Sequence, residues 1–400
     1  MITMIEPAPS FRQMRADALA TALVDARNYT LAIFDAFCAH GFDDPTRLPQ
    51  LDVVNPPVWE FGHLAWFAEW YVLRDASSSA TDAAQRPSML TLADRLFNSN
   101  TVAHAARWTL DLPSVGALKT YCHEVLDRCL DKLSRTDDSA TALYPFQLAL
   151  AHEDMHGEAF LSTLQLLDVS APALQFSEAR AWAYGEVAFP GATVQLGSST
   201  ESGFVFDNEK WSHAQHIAPF SIDSTLVSNL QFSEFVADGG YQQARFWTPA
   251  GRAWLMQQDR QAPRYWVRAG SRWHYRRFGH TQALSDHQPV RHLSLYEAQA
   301  YCAWIGRRLP TEAEWEVAAV SQHPAFRWGD LWEWTCSAFA PYPEFEVDRY
   351  REYSQPWFDT HQAVRGASFA TPARFRSAYF RNFYLPQRDD MFIGFRTCAL

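Results

Sequence analysis

The chain has 400 residues, 48% of them hydrophobic, and a formal net charge of −11. That length accommodates two or three domains and a sizeable core, and the acidic balance argues against a nucleic-acid partner, because phosphate binding needs a basic face. No apolar run approaches the roughly 18 residues that span a bilayer, and the N-terminus lacks the apolar stretch of a secretory signal, so no membrane association is expected.

Six scattered cysteines, none in a C-x-x-C pair, read as reduced, mostly buried thiols of a cytoplasmic protein. Monomer is the default expectation. The 16 Trp, 28 Phe and 15 Tyr suggest a loop-rich domain pinned by large side chains, or an aromatic-lined pocket.

In chain order, residues 17–38 place apolar side chains at helical spacing. Residues 55–74 (NPPVWEFGHLAWFAEWYVLR) open on prolines, which suit a helix start. Residues 114–135 begin at a Ser cap, and 141–168 form a fourth amphipathic segment. Four such segments predict a four-helix bundle over residues 10–168, an architecture whose core often houses a metal. Residues 169–182 read as a linker. Beyond it Gly, Pro and Trp become frequent, one clear helix is expected near 294–306, and the rest of 183–400 reads as short strands and long loops, an α+β whole. The Arg- and Trp-rich stretch 242–285 either shapes a pocket mouth or forms a solvated loop pinned by its aromatics, the second reading being preferred.

The fourth segment carries LALAHEDMHGEAF at 148–160. His152-Glu153-Asp154-Met155-His156 spells H-E-x-x-H, the pattern of zinc proteases, and also H-x-x-x-H-x-E. At about 100° per residue, His152 and His156 fall about 40° apart on one helix face, as two ligands of one metal should. Glu158 falls about 160° from His156, so it reads as a supporting or surface residue. The stretch after His156 supplies no third His, as an extended zinc-protease motif would need. His63, set among Trp and Phe on the second helix, is the candidate third ligand. Three neutral imidazoles leave coordination positions open and suit iron(II) as well as zinc.

The second half carries PVRHLSLYEAQAYCAWIGRRLPTEAEWEVAA (289–319), GDLWEWTCSAF (329–339), VRGASFA (364–370) and GFRTC (394–398) in order. This series resembles the formylglycine-generating-enzyme-like domain, a C-type-lectin-related fold. Cys336 stands alone where that activity would need a pair. A DinB-like bundle with this His pattern, fused to such a domain, resembles the ergothioneine sulfoxide synthase family. The resemblance implies an Fe(II) cofactor on His63, His152 and His156, with O2 and hercynine, the Nα-trimethylated form of histidine, as substrates. By the same resemblance RNFY (381–384) makes Asn382 the hercynine contact, with Phe383 beside it. DRYREYSQPWF (348–358) holds the catalytic tyrosine, Tyr350 aligning best and Tyr353 being the fallback.

The chain departs from the pattern of family members that use γ-glutamylcysteine. An Asp is replaced by Tyr384, a Gln by Met155, and an Arg pair by a stretch (97–108) with Arg107 alone. Charges that would grip a dipeptide are lost, so a less charged donor is expected, either cysteine or a sugar-borne chalcogen. Local likeness of 54–70 and 148–160 to the selenoneine synthase branch implies a selenosugar, on which Tyr384, Phe383 and Trp108 could stack. A sulfur-transferring member of the family, and a non-catalytic binding module with a degenerate His cluster, are the alternatives.

Overall fold

The computed structural model describes residues 10–172, 184–270 and 272–400, so most of the expected linker lies outside the described residues. Four long helices build the N-terminal half: α1 (Ala16–Ala39), α2 (Pro57–Ala68), α5 (Val115–Leu133) and α6 (Ala140–Leu166). Short helices α3 (Ala80–Gln85) and α4 (Ala93–Phe97) fill the long α2–α5 connection. Pro57 starts α2, where its missing N–H costs nothing. Ser114 and Ser139 cap α5 and α6 by accepting from the N–H groups of Ala117 and Ala142. α1 packs along α6, and α2 along α5.

Two of the segments expected to be amphipathic are not. Every residue of α2 from Pro57 to Phe67 is buried, and α6 is buried on nearly all sides. α2 is closed in by α1, α4, α5 and α6, and the outward face of α6 meets the C-terminal half. α2 continues into one π-helical turn, Glu69–Leu73. Glu69 accepts from Ser88 Oγ and the Met89 N–H, both at 2.8 Å, and from the Tyr121 hydroxyl, so the turn is tied across the bundle.

The C-terminal half contains more helix than the sequence suggests. Besides α9 (Leu295–Ile305) it has α7 (Asn229–Ala237), α8 (Pro249–Gln258) and α10 (Glu312–Val320). Ser228–Gln231, Ser294–Glu297 and Thr311–Glu314 form capping boxes on α7, α9 and α10, which steady short helices that propensity alone would not. Strands β1 (Glu186–Phe189) and β4 (Phe220–Asp223) pair antiparallel, as do β2 (Ala192–Leu196) and β3 (His213–Ile217). The stretch 242–285 is not one solvated loop. It holds α8 and a meander of β5 (Trp266–Ala269), β6 (Arg272–Arg277) and β7 (His280–Ala283), with Trp254, Tyr265, Trp266 and Tyr275 buried. The sheet nearest the bundle has the order β10 (Asn382–Tyr384), β9 (Gln362–Gly366), β8 (Trp332–Ala338), β11 (Ile393–Gly394).

Buried polar contacts join the halves. Glu158 on α6 accepts from Trp332 Nε1 (2.7 Å), Ser368 Oγ (2.5 Å) and Thr371 Oγ1 (2.7 Å). Asp154, one turn earlier, takes both ends of the Arg374 guanidinium at 2.9 and 2.6 Å. Arg12 donates to Glu209 at 2.9 Å and to the Phe204 carbonyl at 3.0 Å. Charge-assisted hydrogen bonds contribute roughly 1.5–3 kcal/mol each, so this seam fixes how the halves meet. Glu158 is therefore neither a surface residue nor a support for the histidines, but the anchor of the C-terminal half. Among the described residues no helix is long and apolar enough to cross a membrane.

Candidate metal centre and its two cavities

His63 from α2 and His152 and His156 from α6 converge, one ring nitrogen from each lying within 4.8 Å of the others. Their ring centroids are 4.5–5.3 Å apart. His63 and His152 are buried at 3% exposure. Burial presses the His63 imidazole down to about 3 and that of His152 well below its ordinary value, His156 adding to both. Both rings are thus neutral, the form that can give a lone pair to a metal.

Two contacts select which nitrogen is free. His63 Nδ1–H donates to the Phe97 carbonyl at 2.8 Å, and His156 Nδ1–H donates to Glu60 Oε1 at 2.6 Å. Both Nε2 atoms are left for a ligand, the tautomer that metal-binding histidines are usually held in. His152 is oriented by packing: the Phe67 ring stacks on it at 3.5 Å and 3°. A three-nitrogen set with oriented rings fits a divalent transition metal. Glu60 and Phe67 were not singled out by sequence reasoning. Glu60 is three residues before His63, on the same helix face, and that spacing was the available signal.

Glu153, the E of H-E-x-x-H, is not near this chemistry. Arg27 holds it with two bonds of 2.6 and 3.0 Å, and Thr30 donates at 2.8 Å, so it is a buried tie between α6 and α1.

Two cavities flank the cluster. The first, about 170 Å³, lies between the halves; Glu60 and Met155 bring it to the His156 side, and Asn382, Tyr384, Trp332 and Phe380 form much of its opposite wall. Arg388 is the single cation among its described lining residues, and Asp390 engages it at 2.6 and 2.7 Å. The second, an open cleft of about 810 Å³, reaches the His152 side through Phe67 and Tyr350, and Trp70, Tyr71, Asn98 and Asn100 line it further out.

The remaining sequence candidates divide between these places. Tyr350 packs edge-on to Phe67 at 5.1 Å, with its ring 6.4 Å from His152; burial holds its hydroxyl protonated, well above the ordinary range. Tyr353 stacks on Phe206 at 4.4 Å, and its hydroxyl donates to Met155 Sδ at 3.7 Å. Asn382 Nδ2 donates to the Tyr384 hydroxyl at 3.3 Å. Phe383 is not brought to the cavity: strand alternation turns it to the other face of β10, where it stacks on Phe339 at 4.2 Å. Arg107 and Trp108 line neither cavity. The Arg107 guanidinium lies over Trp59 at 3.9 Å and bonds Asn55 at 2.6 Å, and Trp108 packs edge-on to His104 at 5.2 Å. All six cysteines are free, and Cys336 is exposed.

The sulfatase-modifying factor enzyme 1-like domain matches residues 173–330. Hercynine oxygenase from Mycolicibacterium thermoresistibile is 31% identical, with 94% of each chain covered. Hercynine oxygenase from Mycobacterium tuberculosis is 30% identical over 95% of this chain and 98% of its own. Formylglycine-generating enzyme from Streptomyces coelicolor is 35% identical, over 36% of this chain and 51% of its own. Similarity of that degree over nearly the whole length, beside a histidine cluster on two helices of the N-terminal half, makes the chain a member of the hercynine oxygenase family.

Proposed function

We propose that this chain is an iron(II)- and O2-dependent enzyme that joins selenium, carried by a selenosugar, to C2 of the imidazole of hercynine. The observation that carries the reading is the convergence of three imidazoles, their rings oriented by Phe97, Glu60 and Phe67, beside two cavities, one for each organic substrate. His63, His152 and His156 would hold the iron, which supplies O2 activation that an unreactive imidazole carbon requires.

The smaller cavity suits hercynine. Of the four carboxylates that line it, Asp154 and Asp390 are paired with Arg374 and Arg388, which leaves Glu60 and Glu158 as its excess negative charge, and aromatic faces from Trp332, Phe375, Phe380 and Tyr384 complete it. A trimethylammonium group has no N–H to donate and is held by such charge and such faces. Asn382 is placed to orient the substrate's polar end. Tyr350, neutral in the larger cleft, supplies a proton near the His152 side of the cluster.

The donor reading rests on missing charge. Tyr384 and Met155 line the small cavity in place of residues that could grip a dipeptide, and Arg107 is spent on Trp59 and Asn55. The cleft offers indole and phenol rings with amide and hydroxyl groups, on which a sugar can stack and bond, and its charged residues, Asp348, Arg349, Arg351 and Glu352, balance in sign.

A competition assay tests this. The Fe(II)-loaded protein receives hercynine and O2 with a 1-seleno-sugar, γ-glutamylcysteine and cysteine together, and products are read by mass spectrometry. A hercynine adduct with selenium's isotope pattern is expected. A sulfur adduct in preference would move the protein to the sulfur-transferring members, and no adduct would remove the enzymatic reading.

A further inference from the structure

On either side of His63, α2 carries a column of tryptophans whose stacking the proposed chemistry does not use. Trp59 stacks on His63 at 5.1 Å and 8°, His63 on Trp66 at 5.8 Å and 24°, and Trp66 on Trp70 at 5.6 Å and 22°. The spacing of four, three and four residues places all of them on one helix face. Trp59 and Trp66 are buried, at 1% and 3% exposure, whereas Trp70 is half-buried and lines the open cleft. The column thus runs from the histidine cluster to the surface.

Its two directions differ electrically. Inward, the Arg107 guanidinium sits 3.9 Å over Trp59 with the neutral Asn55 as its hydrogen-bonded side-chain partner, and Trp59 Nε1 donates to the Leu96 carbonyl, which is no base. A positive charge on that ring is disfavoured. Outward, Trp66 Nε1–H donates to Asp94 at 2.7 Å. Arg74, over Trp70 at 4.7 Å, is matched by both oxygens of the same Asp94 at 2.6 and 3.0 Å. A one-electron vacancy is therefore better tolerated on Trp66 and Trp70 than on Trp59.

We propose that Trp66 and Trp70 form an electron-supply route that drains stray oxidising equivalents from the histidine cluster to the cleft, a role that rests on the iron and O2 reading above. When O2 is reduced without a complete set of substrates, Trp66 gives one electron to the site and its N–H proton to Asp94. Trp70 returns an electron to Trp66, and Asp94 returns the proton. A soluble thiol at the cleft mouth gives an electron to Trp70 and its proton to water, and two such thiols end as one disulfide. The site residues, Met155 with its oxidisable sulfur among them, are thereby spared.

The test is a map of oxygen gained by each residue. The full chain, loaded with Fe(II), is exposed to air without hercynine or donor, with and without added thiol, then digested and read by mass spectrometry. In the wild type, oxidation concentrates on Trp70 and falls when thiol is present. In Trp70→Phe it moves inward, rising several-fold on Trp66, Met155 and Tyr350, while Trp59→Phe keeps the wild-type map. An unchanged map in Trp70→Phe, equal oxidation of Trp59 and Trp70, or the same map from a Zn(II)-loaded chain overturns the route. Iron content of the same samples separates the two ideas: a chain that binds no iron removes the iron reading and the route with it, whereas bound iron with an unchanged map removes the route alone.

Discussion

Along α2 and α6 the site residues are held mainly by ring against ring: Phe67 on His152 and Trp59 on His63. In the C-terminal half, loops near the site end on buried arginines. Arg381 engages Glu312 at 2.9 and 2.8 Å and the Asn208 carbonyl at 2.6 Å, and Arg396 engages Glu333 at 2.5 and 2.7 Å. Regular helices satisfy their own backbone and need only apolar neighbours. Irregular loops leave carbonyls and carboxylates that must find donors, and a guanidinium with five donors serves several at once. The stacked rings of α2 and α6 thus tolerate volume-conserving changes, whereas the loops of the C-terminal half depend on specific polar partners.

The comparison can be broken first at the metal cluster. His152→Ala should abolish iron binding and product formation while leaving far-ultraviolet circular dichroism intact, because the helix keeps its other packing; full iron occupancy in this variant would remove His152 from the site. Next is the seam. Glu158→Ala strands three donors of the C-terminal half and should cost about 3 kcal/mol, read as a thermal midpoint lower by several degrees; an unchanged midpoint would mean that the halves are held elsewhere.

Tyr350→Phe keeps the ring and loses the hydroxyl. Product formation should fall about 100-fold with iron binding retained, and wild-type turnover would shift the role to Tyr353. Asn382→Ala should weaken hercynine binding about tenfold, near 1.4 kcal/mol, in a calorimetric titration, and equal affinity would reject the contact.

The smallest effect is a pH slope. Burial, with Asp389 nearby, pushes the Glu297 carboxyl from 4.5 up to about 7. The folded chain keeps a proton there that the unfolded chain has released. This group's contribution to stability is therefore greatest on the acid side and is lost as pH rises through neutral. Glu297→Gln retains the cap on α9 and should flatten the stability profile between pH 4.5 and 7; an unaltered profile would place the proton elsewhere.

Much of the helical half was legible. The pairing of His152 and His156 follows from helical periodicity, His63 is marked by its aromatic surround, and α1, α2, α5 and α6 begin within a few residues of their expected starts. What periodicity could not show is that α2 is enclosed by the short α4 and the rest of the bundle, and α6 by the other half. Helices α7, α8 and α10 escaped because each is short and set by its cap rather than by a long apolar stripe. Glu158 illustrates the limit at the site. Its angle on the helix excluded it from the histidine face, but its partners Trp332, Ser368 and Thr371 lie far along the chain and no local pattern announces them. Phe383 failed for the opposite reason: the two-residue alternation of a strand was available to separate it from Asn382 and Tyr384 once β10 was recognised.

Glu158 also bears on how this family can be rebuilt. The helix that presents His152 and His156 ends its functional face on a carboxylate that only a matching indole and two hydroxyls can satisfy. A chimera joining this bundle to the C-terminal half of a relative would work only if those three donors came with it. Domain exchange is therefore restricted by a contact that also forms part of the wall of the small cavity.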